Sequence, residues 1–181
     1  MDQFWRTALW QQFGATIDML ENAMVACPDS LWKGHIWPLP SDEPLPPRFA
    51  EFWYIAYHTL FWLDLYLSGS HEDDFAPPAP FTLTELDPEG ALPERTYTKE
   101  ELRAYLATTR QKCRATLVSL TDEQARQIIS YPWTRGQPVS FLELQIYNLR
   151  HVQEHASQLN LFLGQNRVTE VTDWVARAKG D

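Results

Sequence analysis

The chain has only two cysteines, Cys27 and Cys113, and they lack metal-type spacing. That rules out a disulfide framework and reads as two reduced core thiols in separate helices. Positive charge is also scarce: 15 Lys and Arg stand against 24 Asp and Glu, for a net charge of −9. A basic stripe able to neutralise phosphates is therefore missing, which argues against a nucleic-acid partner. No apolar run reaches the ~20 residues of a membrane span. The most apolar stretch, 52–67, is interrupted by His58 and Asp64. The first six residues, Met1 to Arg6, show neither a basic n-region nor an unbroken apolar segment. The expectation is a cytoplasmic protein that acts on a small molecule and has no nucleic-acid or membrane partner.

What the chain has in quantity is rings and prolines. Eight Trp, seven Tyr and nine Phe imply an aromatic-rich interior or a ring-lined pocket. All thirteen prolines fall within 28–47, 77–93 and 132–138. Helix interiors tolerate proline worst, so the four proline-free blocks are read as four long helices. Length and composition fit one domain over 1–181, with a bundle core of about 1–165 and a tail of 166–181.

The first block, 2–26, repeats Trp5, Leu9, Phe13, Thr16, Leu20 and Met24 at a helical period. The second, 49–67, is apolar almost all round, and Ser68-Gly69 ends it. A long connection over 70–97 follows, where bundle loops usually run to ~2–8 residues. Such a link lets the second and third helices run parallel and is a candidate lid. Capping boxes open the third block at Thr98-Lys99-Glu100-Glu101 and the fourth at Ser140-Phe141-Leu142-Glu143. A further cap signal at Thr121-Asp122-Glu123-Gln124 starts a short helix that should last until Pro132. Gly164 is expected to stop the fourth helix, and the tail to hold a short helix around 172–179 that packs Trp174.

Within the fourth block, His151 and His155 lie four residues apart, about one 5.4 Å turn, on one helical face. At 100° per residue that face also carries Leu144, Asn148, Val152, Leu159 and Phe162, so both histidines should point to the core. His58 has Tyr54, Ile55, Phe61 and Trp62 one turn either way and should also point inward, at mid-helix. A His-x-x-x-His pair alone arises often by chance. Three core-facing imidazoles are harder to satisfy, since each left unpartnered costs ~1–3 kcal/mol. Two readings follow: a shared metal ion, or a hydrogen-bonded polar cluster in the core. Three neutral imidazoles suit zinc first, and also nickel or iron, with an open coordination position. Asn148 and Gln158 could orient a ligand or water, or be amides satisfied by backbone. Glu154 sits at the edge of the stripe as a solvated residue. His35 and His71 read as surface residues, while Trp37 and Trp133 are candidates for lining a mouth.

Together these features resemble the DinB/YfiT-like superfamily. The resemblance rests on four helices, a histidine in the middle of the second, and a His-x-x-x-His pair in the fourth followed by Gln158 and a glycine. It implies an all-α four-helix bundle of up-down-down-up topology with the long crossover between helices 2 and 3. It also implies His58, His151 and His155 as metal ligands, a divalent cation, and in some relatives a low-molecular-weight thiol used in transfer or isomerisation. Many such proteins are homodimers. One departure stands out: Glu154-His155-Ala156-Ser157-Gln158 occupies the place where many members read His-His-Arg-Gly-Gln. The competing expectation is a non-enzymatic stress-response or small-molecule-binding bundle with a vestigial site.

Overall fold

A computed structural model describes residues 2–38, 47–169 and 174–180. It is helical, with long helices α1 (Gln3–Ala26), α2 (Phe52–Ser68), α3 (Lys99–Ser119) and α5 (Phe141–Gln165), and a short α4 (Asp122–Arg126). The ends of these elements follow local chemistry. Asp2 accepts from the Phe4 amide at the start of α1, and Thr98 and Glu101 close a reciprocal capping box on α3. Gly69, at φ 63°, terminates α2 in the left-handed region that side chains avoid.

Helices α1 and α2 each pack on both α3 and α5. Against α3, Asp18 and Glu21 of α1 meet Arg110 and Arg103, so residue numbers rise on one helix as they fall on the other. That pair is antiparallel. Between α2 and α3 the numbers rise together: Trp53 lies against Tyr97, and Asp64 accepts from Tyr105 and Lys112. Helix α2 is antiparallel to α5, with Phe52 on Phe162, Leu63 bonded to Asn148, and Tyr66 bonded to Gln145. Trp53, Tyr57 and Phe61 on α2 are fully buried, each burial giving roughly 1.5–3 kcal/mol.

The connection 70–97 is docked rather than loose. Phe75 packs edge-on to Phe61, Phe81 stacks on Tyr105, and the Tyr57 hydroxyl donates to the Thr82 carbonyl at 2.8 Å. The chain thus lies against α2 along most of the crossover, and its short 3-10 turn at Leu83–Leu86 faces α2.

Several local expectations change. The turn after α3 is shorter than the next proline suggests: α4 ends at Arg126, because Ile128–Ile129 (β1) pairs antiparallel with Val139–Ser140 (β2). Alternating backbone bonds in this two-residue hairpin capture the segment before Pro132 can act. Helix α5 runs through Gly164 to Gln165, because the Asn166 amide bonds carbonyls of the last turn. Thr172 lies outside the described residues, and 174–180 are not helical. Trp174 is exposed, and Val175 and Ala178 pack on the core instead. The Ala178 amide donates to the Gln11 carbonyl and the Lys179 amide to the Asp18 carboxylate, holding the tail, and Gly14 admits the Ala178 methyl group where a side chain would collide. Trp5 is also exposed; the buried face of α1 is Trp10, Phe13, Ile17, Leu20 and Met24. Both cysteines are free and buried, and burial pushes the Cys27 thiol up to about 12.

Two predictions follow from these contacts. Asn148 is buried and holds α5 to the α2 backbone, so Asn148→Leu should lower stability by about 1–2 kcal/mol in urea unfolding. Hydrogen bonds from Arg95 and from the Thr98 amide hold the Glu101 carboxyl at about 2. A depressed carboxyl stabilises the fold above its ordinary value of ~4.3, and that contribution fades as pH falls toward the folded value. Glu101→Gln should therefore cost about 1 kcal/mol or less at neutral pH, and the difference from the unsubstituted protein should shrink between pH 4.3 and about 2 in acid melts.

Candidate metal centre

The antiparallel contact between α2 and α5 brings His58, near the middle of one helix, opposite His151 and His155 on the other. The Nε2 atom of His151 lies 3.2 Å from Nε2 of His58 and 3.1 Å from Nε2 of His155. One ligand nitrogen from each of the three residues falls within 4.8 Å of the other two. Nitrogens held ~2.0–2.1 Å from a tetrahedral zinc are separated by about 3.3 Å, so the two close spacings fit one ion.

The outer edges of two rings are fixed. His58 Nδ1 lies 2.7 Å from Glu85 Oε2, and His155 Nδ1 lies 2.8 Å from Gln158 Oε1. Each oxygen accepts, so each Nδ1 carries a proton, and in the metal-ligating form of each ring the Nε2 lone pair faces the centre. His151 Nδ1 is buried without a hydrogen-bond partner among the described residues. The fold selects the tautomer of two rings and leaves the third to whatever sits between them.

Charge follows the same logic. Burial first, then the neighbouring imidazoles, push His151 down to about 2, and burial with His58 nearby pushes His155 down to about 4. Both are neutral at pH 7, the form that ligates metals. Burial alone would raise the Glu85 carboxyl, but His58, together with hydrogen bonds from His58, Tyr54 and Trp62, outweighs it and holds the group below its usual range. An ionised carboxylate thus backs the site.

A purely hydrogen-bonded cluster fits less well. When all three rings are in the ligating form, two inward lone pairs from His58 and His155 meet the third ring, which has at most one Nε2 proton to share between them. A cation at the centre satisfies all three nitrogens, so the three-histidine cluster could hold a metal ion.

The histidines are less deeply placed than the helical wheel suggests. All three are half-buried, and the His58 side chain is 28% exposed. The fully buried stripe of α5 runs instead through Leu144, Gln145, Asn148, Val152, Ala156 and Leu159. Of the two amides considered from the sequence, Gln158 bonds a histidine. Asn148 donates to the Leu63 carbonyl at 3.3 Å and serves the helix contact. His35 and His71 are exposed, and Glu154 lies on the outer face. Trp37 is exposed, whereas Trp133 stacks on Tyr147 with centroids 4.7 Å apart.

Glu85 is the residue that sequence reasoning misses. It lies in a connection carrying six other acidic residues, with no spacing that distinguishes it from them. Only the docking of Leu83–Leu86 against α2 reveals it.

The family model of the DinB superfamily matches residues 12–159, a span that includes all three histidines, Glu85 and Gln158. No curated protein and no solved structure matches the chain. With the match covering most of its length, and the helices and histidine cluster in place, the chain belongs to the DinB superfamily.

Proposed function

We propose that this protein is a metal-dependent enzyme in which His58, His151 and His155 hold one divalent cation, zinc in preference to nickel or iron. The observation that carries the proposal is the convergence of three Nε2 atoms, with the outer nitrogens of His58 and His155 already bound to acceptors. Three protein ligands leave a coordination position open, the arrangement of catalytic rather than structural zinc. When bound, such an ion lowers the pKa of a coordinated water or thiol and supplies a nucleophile at neutral pH.

The chain's own residues do the remaining work. Glu85 and Gln158 hold two imidazoles in the ligating tautomer, and the packing of α2 on α5 fixes their spacing. Partial exposure of His58 gives a small molecule access to the open side. Ala156 is fully buried, so no cationic side chain stands at that position to bind an anionic thiol cofactor. That favours water, and hence hydrolysis, over a thiol and group transfer. A binding protein with a vestigial site would keep the metal without turnover.

The test is metal content and thermal stability of tag-free protein. Zinc at 100 times its Kd should add about 2.7 kcal/mol of stability, roughly 5–11 °C in melting temperature for a chain of this size. His58→Ala and His155→Ala should abolish that increase. No bound ion and no shift with zinc, nickel or iron would overturn the proposal.

A further inference from the structure

We propose that Glu85 is the positioning residue of this centre, and that through it metal occupancy and docking of the 70–97 crossover are one coupled event. The inference rests on the metal-site reading above and assigns a role to a residue outside the histidine cluster. The Glu85 side chain is only 4% exposed, although it comes from a connecting segment. Its Oε2 receives His58 Nδ1 at 2.7 Å and the indole N–H of Trp62 at 2.9 Å. Trp62 lies one turn from His58 on α2, so one carboxylate oxygen is gripped by two donors of the same helix.

A carboxylate behind a ligating imidazole fixes the ring and raises its basicity, and removing such a partner typically costs 10–100-fold in metal affinity. The coupling runs both ways. A cation on Nε2 withdraws charge from the ring and makes Nδ1–H a stronger donor, so it tightens the bond to Glu85. Glu85 belongs to the 3-10 turn Leu83–Leu86, which is held nearby by Tyr57 on the Thr82 carbonyl and by Phe81 stacked on Tyr105. The crossover therefore reports, and assists, the filling of the site. Equilibrium linkage requires the two effects to be equal in size.

Two readouts test this on the full chain with zinc alone as the probe: chelator-competition titration, and hydrogen exchange of amides 83–87 with and without zinc. Glu85→Gln keeps an acceptor but loses the charge. It should bind zinc about 10–100-fold more weakly, and zinc should slow exchange at 83–87 in the unsubstituted protein but much less in the variant. A role confined to loop packing would change exchange in the metal-free protein and leave zinc affinity alone. If Glu85→Gln does not fold, Trp62→Phe removes one anchor while keeping the carboxylate, and a several-fold affinity loss is expected. Unchanged zinc affinity in the variant overturns the inference while the metal site stands. Failure of the unsubstituted protein to bind zinc overturns both.

Discussion

Three imidazoles face one another across the contact between α2 and α5, and one Nε2 proton on His151 cannot serve two inward lone pairs at once. His58 and His155 commit their Nδ1 protons outward to Glu85 and Gln158. Both then direct lone pairs toward Nε2 of His151, at 3.2 and 3.1 Å. Such an arrangement could hold a cation, and the surrounding contacts maintain it. Asn148 and Gln145 bond the α2 backbone about one and two turns away, and Phe52 meets Phe162 at the other side of the cluster. The helix packing holds the rings in place, so assembling the site on metal binding requires little reorganisation.

The crossover connects fold and site. In a bundle whose second and third helices run the same way, a long return segment is unavoidable. Here that segment carries buried aromatic residues and one buried carboxylate, so it forms part of the core as well as spanning it. Phe75, Phe81 and Tyr97 anchor it against α2 and α3, and Glu85 ends beside His58. Asp64, Tyr105 and Lys112 form a second, partly buried polar knot that ties α2 to α3 without touching the histidines.

The long helices could be read from the sequence because proline and capping residues act locally. Thr98 with Glu101, and Gly69 with its positive φ, set their boundaries with little help from the rest of the chain. The histidine triad was legible for a related reason: a four-residue spacing on a helix is already a spatial statement. What escaped depends on partners distant in sequence. The β1–β2 hairpin exists because Ile128 meets Ser140, and the tail adopts its course because Asp18 and Gln11 receive it. Glu85 is the extreme case, since its meaning comes entirely from the loop's docking. Depth of burial is not legible either, because a helical wheel gives direction but not depth, and the three histidines are only half-buried.

Function at this centre turns on whether one cation sits between those three nitrogens. Anomalous diffraction from crystals grown with zinc measures that directly. A shared ion gives a single peak about 2.0–2.1 Å from Nε2 of each of His58, His151 and His155. Absence of a peak there, with the three rings still converged, would contradict it.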